Sequence, residues 1–437
     1  MKLPAPALRC IRMLEDAGFP TYAVGGCVRD TLLGLTPHDY DLCTAAIPDE
    51  IAAVFSDFTL VRSGEKHGPI GVVMDGDLYE ITTFRTEGGY NDSRHPSWVR
   101  FVPVLEEDLK RRDFTVNAMA YHPDKGYIDP WGGQADLTTK TLRAVGDPAT
   151  RFTEDALRIL RGVRFAVRYG LTPEETTMRA MSELAPRLAF LARERVFEEL
   201  CKLLPLVNTE DLLRFVPILI QAIPELEKTV GFGQHTPHHI YDVYGHTARV
   251  VEAVPPVLPL RFAALLHDIG KPDTFSPDSN GIGHFPGHAA ASAAMTDRIL
   301  RDLRAPTAFR EQVVFLVEQH MTPLLPDKKV LRRRLGKYGE ENIRLLLLLQ
   351  QADFVSKGTK EDPAQFRLIQ QLLDEIFQEE ACLNIRDLAI DGKDLLCLGF
   401  QPGPALGAVL SALLEQVQDE NIPNEKDALL AFAKTKL

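Results

Sequence analysis

The sequence predicts an α+β fold: a head of mixed sheet and helices, followed by an almost wholly helical remainder. β-Rich runs with turn signals are confined to the first 140 or so of the 437 residues, and from about residue 150 apolar residues recur at three- and four-residue spacing. Pro- and Gly-rich breaks then divide that helical stretch. Taking the elements in order, Thr21-Tyr22-Ala23-Val24 reads as a strand running into Gly25-Gly26, and Tyr40 to Leu42 as a second strand flanked by acids. Ile70 to Met74 and Leu78 to Arg85 are two further strands, joined through Asp75-Gly76-Asp77 as a hairpin. Ala156, Ile159, Leu160, Val163 and Ala166 mark the first long helix, with later breaks at Pro173, at Pro186, in 229–237, in 272–287 and around Gly358 to Pro363.

Composition removes several classes. With 45% hydrophobic and 25% charged residues, disorder is excluded as the overall state. The 49 Lys plus Arg against 61 Asp plus Glu leave a formal charge of −12, which excludes a uniformly basic coat for nucleic acid. The greasiest run, Leu345 to Leu349, is too short to span a bilayer, and no apolar signal core follows Lys2, so a cytoplasmic protein with no membrane association is expected. Cys10, Cys27, Cys43, Cys201, Cys382 and Cys397 are too scattered for a disulfide framework or a zinc knuckle. Charge is also uneven. Residues 361–437 hold 6 basic and 14 acidic residues, whereas six arginines crowd 143–168 and six basic residues with no acid fill 328–337. A polyanion would suit those two basic places, and a solvated helix face is the equal alternative for 328–337.

The head carries the first chemistry. In Val24-Gly25-Gly26-Cys27-Val28-Arg29-Asp30 two glycines stand where a strand gives way to a helix, so backbone N–H groups can approach a phosphate with Arg29 one turn in. Asp39 and Asp41 lie two apart on an expected strand, facing the same side, and two carboxylates that close call for a divalent cation. Glu80 is a third acid for that site or an outward-facing edge residue. On a helix Asp155 and Arg158 share a face. An aspartate accepts from an exocyclic amine and an arginine donates to a ring nitrogen, a pair that suits cytosine and adenine and refuses uracil and guanine. An intrahelical ion pair is the alternative.

Gly25-Gly26-x-x-Arg29-Asp30, Asp39-x-Asp41, Glu80 to Arg85, Glu106 to Ala118 and Glu154-Asp155-x-x-Arg158-x-x-Arg161-x-x-Arg164-Phe165 together resemble the bacterial class II tRNA nucleotidyltransferases, the CCA-adding enzymes and their poly(A) polymerase relatives. Leu388 to Gly407 resembles the helical tail of that family. The resemblance implies attack of the tRNA 3′-hydroxyl on the α-phosphate of CTP or ATP, with Mg²⁺ on the catalytic residues Asp39 and Asp41. It assigns Gly26, Arg29 and Arg112 to the triphosphate and ribose, and Asp155, Arg158, Arg161 and Arg164 to the nucleotide. Asp113 is an alternative polar contact or fixes the helix start before Phe114. Val61 to Gly68 resembles the CCA-adding branch, and Thr86 to Pro96 resembles the loop that full CCA enzymes use to switch from C to A, with His95 where a second basic residue is common.

A second constellation lies in the helical part. His267-Asp268, with His246 upstream and Asp353 downstream, offers imidazole and carboxylate donors to a divalent metal and resembles the HD phosphohydrolase superfamily. His288 and His320 sit where two-metal members place further ligands, while His235, His238, His239 and His284 read as loop residues. The alternative is a structural remnant that binds nothing.

These readings divide the chain into a nucleotidyltransferase head (1–140), a helical neck and body (141–235), an HD domain (236–360) and a helical tail (361–437). The implied function is CCA addition to the tRNA acceptor arm from CTP and ATP. A 2′,3′-cyclic phosphodiesterase or phosphatase activity on Mn, Ni, Fe or Co joins it, with no obligatory protein partner. The rivals are a poly(A) polymerase, a CC- or A-adding enzyme, and a hydrolase using the HD site alone.

Overall fold

The computed structural model describes residues 1–62, 68–90, 96–236, 240–358, 363–379 and 382–437. The chain divides into two compact units, one of Met1–Val207 with Arg214–Pro224 and one of Asn208–Leu213 with Glu225–Leu437.

In the first unit, helix α1 (Ala5–Asp16) precedes strand β1 (Thr21–Val24), and α2 (Gly26–Leu32) follows it directly. Then come β2 (Leu42–Thr44), α3 (Pro48–Val54), β3 (Thr59–Arg62), β4 (Ile70–Met74) and β5 (Asp77–Thr83). The expected hairpin forms between β4 and β5, with Met74 opposite Asp77 and both turn residues, Asp75 (φ 54°) and Gly76 (φ 93°), left-handed. That two-residue turn matches the twist of the flanking strands.

β5 stops at Thr83, two residues short of the expected end. The Phe84 N–H still bonds the Thr44 carbonyl (2.7 Å) but its own carbonyl accepts from Val102, so the chain leaves the sheet there. It continues as a separate ribbon of β6 (Arg85–Tyr90) and β7 (Pro96–Phe101). After α4 (Leu105–Lys110), β8 (Ala120–His122) and β9 (Gly126–Ile128) complete a seven-stranded sheet in the order β3-β4-β5-β2-β1-β8-β9. Within this sheet, among the described residues, β2 and β5 are the one parallel pair. β1 and β2 are buried along their whole length, which places the carboxyl end of β1 and the start of β2 in the middle of the head.

Helices α5 (Gly133–Thr138), α6 (Pro148–Glu154), α7 (Leu157–Tyr169), α8 (Glu175–Leu184) and α9 (Arg193–Leu203) follow. α7 packs so closely on the head that a Cβ at Gly162 would lie 2.9 Å from both the Phe114 ring and the Met181 terminal carbon.

Among its described residues, the second unit has helices and a two-stranded ribbon of Ser276–Pro277 and Gly283–His284. Its last part has its own core of Leu388, Ile390, Leu395, Leu410, Leu413 and Leu429. No helix among the described residues is long and apolar enough to cross a membrane. The basic segment 328–337, read above as a polyanion site or equally a solvated helix face, forms a helix (Lys328–Tyr338) in which three of the six cations pair with acids. Lys328 pairs with Glu375 and Glu379, Arg332 with Glu379 and Glu420, and Arg333 with Asp419.

The chain's two tryptophans, Trp98 and Trp131, both lie in the first unit, so their fluorescence reports its unfolding. Gly162→Val drives a branched side chain into Phe114 and Met181, and the urea midpoint followed by that fluorescence should fall by the equivalent of about 1–3 kcal/mol. An unchanged midpoint would show that this contact has slack.

Candidate functional site

The carboxyl end of β1 opens onto a cavity of about 610 Å³. Gly25 takes φ 71° to turn the chain into α2, and a Cβ there would lie 2.9 Å from Arg112 Nη1, so only glycine suits both the turn and the approach. Asp39 and Asp41 line the cavity on the lead-in to β2 rather than within it, since the strand begins at Leu42. The Asp41 carbonyl nonetheless accepts the Val24 N–H at 3.0 Å, which locks the pair beside β1. Glu80 also lines the cavity, and its strand β5 lies between β4 and β2, so Glu80 is not on an edge. Burial first, then the charges of Asp39 and Glu80, push the Asp41 carboxyl up to about 6, with Arg112 opposing. That unrelieved negative charge fits a divalent cation.

Cations face the acids. Arg29 lines the cavity, bonds Asp30 (2.8 Å), Asn117 and the Tyr169 hydroxyl, and stacks 4.3 Å over the Tyr169 ring. Arg112 lines it too, held by buried Asp108 at 3.4 Å. Asp113 is a hub: its carboxylate accepts from the Phe114 N–H (2.8 Å), Asn117 Nδ2 (3.0 Å) and Arg161 Nε (2.8 Å). Burial pushes its carboxyl up, yet Arg161 and these hydrogen bonds hold it down at about 2. Its bond to the Phe114 N–H suits one of its two expected roles, and its place in the cavity lining suits the other.

The expected single helix through Asp155 and Arg158 is broken. α6 ends at Glu154, Asp155 is extended (φ −142°, ψ 105°), and α7 begins at Leu157. The cause is local: the Asp155 carboxylate accepts the Leu157 N–H at 3.0 Å and so starts the second helix. The two side chains therefore share a cavity rather than a helix face, and they form no ion pair. Asp155 is gripped by Arg195 (2.9 and 3.3 Å), while Arg158 bonds Glu154 (2.7 Å) and the carbonyls of Arg151 and Arg111. Arg161 lines the cavity, but Arg164 is buried against Glu199 instead. Sequence reasoning missed Arg195 and Asn117, whose partners lie 40 and 88 residues away.

In the second unit all six expected donors converge. His246 lies in a helix (Val243–Ala253), His267 and Asp268 follow another (Leu258–Leu266), and Asp353 lies near the end of a third (Glu340–Val355). His288 opens the helix His288–Asp302, and His320 directly follows Thr307–Gln319. His246 Nε2 is 2.9 Å from Asp353, and around Asp268 stand His267 (3.1 Å), His288 (3.5 Å), His246 (3.7 Å) and His320 (3.8 Å).

Each of the four imidazoles gives its Nδ1–H to a backbone carbonyl, of Ser356, Ala264, Phe285 and Val317 respectively for His246, His267, His288 and His320. Every Nε2 then faces inward: that of His246 is bonded to Asp353 (2.9 Å), and those of His267, His288 and His320 have no hydrogen-bond partner. Lone pairs and a carboxylate facing one another fit a cation. Burial pushes His320 down to about 4, which keeps it a neutral donor. Lys271 adds a cation 2.7 Å from Asp268. His284 is exposed on the ribbon and His235 lies in a loop, whereas His238, His239, 63–67 and 91–95 fall outside the described residues.

Three family models match the chain: the poly A polymerase head domain over 21–143, a probable RNA- and SrmB-binding site of polymerase A over 170–227, and a putative tRNA nucleotidyltransferase domain 2 over 288–433. The CCA-adding enzyme of Levilactobacillus brevis is 35% identical, with 96% of this chain and 95% of that protein aligned. That of Latilactobacillus sakei is 34% identical, with 98% of each covered. Among solved structures, the Bacillus stearothermophilus CCA-adding enzyme in complex with CTP superposes at a TM-score of 0.74 with 29% identity, covering 100% of this chain and 98% of that one.

Asp113 links this site to pH. Its carboxyl ionises near 3.9 in the unfolded chain and at about 2 when folded, so its stabilisation is complete above pH 4 and is lost as pH falls through 2. Asp113→Asn should therefore lose roughly 2 kcal/mol less than the wild type between pH 4 and pH 2, measured by urea unfolding of the tryptophan signal. Equal acid sensitivity would contradict the network around Asp113.

Proposed function

The chain belongs to the class II CCA-adding enzyme and poly(A) polymerase family, and from that membership we propose that it adds C, C and A to the 3′ end of tRNA from CTP and ATP without a nucleic-acid template. The observation that carries the reading is the triad Asp39, Asp41 and Glu80 set among arginines in one cavity. Asp39 and Asp41 would hold Mg²⁺, with Glu80 beside them. When bound, Mg²⁺ supplies charge neutralisation on the phosphates and a lower pKa for the attacking hydroxyl.

The chain's own groups do the rest. The start of α2 at Gly26 lines the cavity where a triphosphate would lie, and Arg112 and Arg29 add positive charge there. Bonds to Asp108, Asn117 and Tyr169 fix those two arginines, so little side-chain entropy is lost on binding. Asp155 and Arg158 retain lone pairs and N–H groups beyond their protein bonds. In one cavity, they would accept from an amine and donate to a ring nitrogen, as cytosine and adenine require. Arg161 completes the cationic wall, and Arg164 acts at a remove by clamping α7 to α9 through Glu199. A poly(A) polymerase, or an enzyme adding only CC or only A, shares the same head. The tRNA acceptor arm is the substrate this reading requires, and the cytoplasm is where it places the protein.

We assign a second activity to the six-donor cluster, which would hold Mn, Ni, Fe or Co and act on phosphate esters such as a 2′,3′-cyclic phosphate. A bound dication supplies activated water for attack on phosphorus. His246, His267 and Asp268 form one group that would hold a cation and Asp268, His288 and His320 a second, with Asp353 beside His246, and Lys271 would contribute charge for a phosphate.

Asp39→Ala should lower incorporation of labelled CTP into tRNA lacking its last three nucleotides by at least roughly two orders of magnitude, with the urea midpoint preserved. Retained incorporation would remove Asp39 from the chemistry. For the second site, elemental analysis of the purified chain should find a first-row transition metal. His267→Ala should lose both that metal and phosphate release from 2′,3′-cyclic AMP, whereas metal content and release that do not change would reduce the cluster to a structural one.

A further inference from the structure

We infer that Arg195 is a positioning residue for nucleotide choice, orienting the Asp155 carboxylate so that it can read the incoming base. The inference deepens the proposed nucleotidyl transfer and rests on it. Asp155 is the extended residue between α6 and α7, and apart from Arg195 the one described hydrogen bond to its carboxylate comes from the Leu157 N–H at 3.0 Å. A single bond to one oxygen leaves the carboxylate free to turn. Arg195 removes that freedom by gripping both oxygens, Nη2 on Oδ2 at 2.9 Å and Nη1 on Oδ1 at 3.3 Å. A planar fork on a planar carboxylate fixes the plane as well as the distance.

The holder is itself held. Arg195 stands in the first turn of α9, and one turn further along the same helix Glu199 pairs with the buried Arg164 of α7. In the same turn, Arg193 donates to the Ala222 carbonyl at 2.9 Å. The helix that carries Arg195 is thus pinned to the helix that carries Arg158. Asp155 is thereby set against Arg158 by two connections, the Leu157 N–H at the start of α7 and the α9 clamp. Both Arg195 and Asp155 line the cavity, so the oriented carboxylate is presented to a ligand rather than sealed off.

Discrimination between cytosine and uracil depends on that orientation. An acceptor fixed beside a donor attracts an amine next to a ring nitrogen and repels a carbonyl next to an N–H. A carboxylate free to rotate averages the two faces, which weakens the attraction and relieves the repulsion. Removing Arg195 should therefore act on selectivity and KM more than on the chemical step at Asp39 and Asp41.

The test measures CTP and UTP incorporation separately, by the full chain, into tRNA lacking its last three nucleotides. It compares the wild type, Arg195→Ala, Arg195→Lys, Asp155→Ala and the double variant Asp155→Ala/Arg195→Ala. The CTP-over-UTP ratio of kcat/KM should fall at least about tenfold in Arg195→Ala, chiefly through KM for CTP, and recover in part in Arg195→Lys. The double variant should be no less selective than Asp155→Ala alone, because both changes remove one interaction. Equal losses for CTP and UTP would mean that Arg195 contacts phosphate or supports the fold, and would overturn the inference, as would additive losses in the double variant. A wild type without CTP preference would instead overturn the proposed function itself. Arg195→Lys, which keeps the charge, preserves the test if the alanine variant fails to fold.

Discussion

The buried carboxylate of Asp113 is the constraint on which the first site depends. It binds the backbone at Phe114, the side chain of Asn117 and the guanidinium of Arg161 together. Asn117 in turn holds Arg29, which stacks on Tyr169 at the far end of α7. Residues from α2, the turn after α4 and α7 are thus joined through one ionised oxygen pair. A buried charge of this kind costs several kcal/mol to desolvate, and its partners offset that cost only when every one is present. The network therefore specifies one arrangement of the cationic wall rather than adding much stability.

Against that wall stand Asp39, Asp41 and Glu80; burial first, and then the charges of Asp39 and Glu80, raise the Asp41 carboxyl to about 6 although Arg112 pulls the other way. The contrast between the two carboxylates is informative. Asp113 is silenced by partners within the chain, whereas the acid triad has a deficit that a ligand would fill. The same logic separates groups in the second unit. The basic helix Lys328–Tyr338 spends much of its charge on acids of the C-terminal stretch, while the inward Nε2 atoms of His267, His288 and His320 have no hydrogen-bond partner.

What could be read from the sequence follows from how local each signal is. β1, the Asp75-Gly76 turn and the alternation of head and helices depend on neighbouring residues, and they appear as expected. The six donors of the second unit were legible as residue types, but the carbonyls that set their tautomers were not, because nothing in a sequence marks which carbonyl an imidazole will meet. The break at Asp155 was hidden by apolar residues that keep helical spacing across it, from Phe152 through Ala156 to Ile159. Arg195 could not be found at all, since its link to Asp155 spans 40 residues. The pairing of Lys328, Arg332 and Arg333 with Glu375, Glu379, Asp419 and Glu420 spans 47 to 88 residues, so the sequence could not show that half the cations of 328–337 meet acids of the same chain.

Under the proposed function, an acid triad, a fixed cationic wall and the Asp155 and Arg158 side chains of one cavity would substitute for a template. The most direct measurement is 3′-end sequencing of tRNA lacking its last three nucleotides after incubation of the full chain with Mg²⁺ and an equimolar mixture of all four nucleoside triphosphates. Products that end in CCA and stop there are the predicted result; U or G among the added positions, or a growing tract of A, would contradict it.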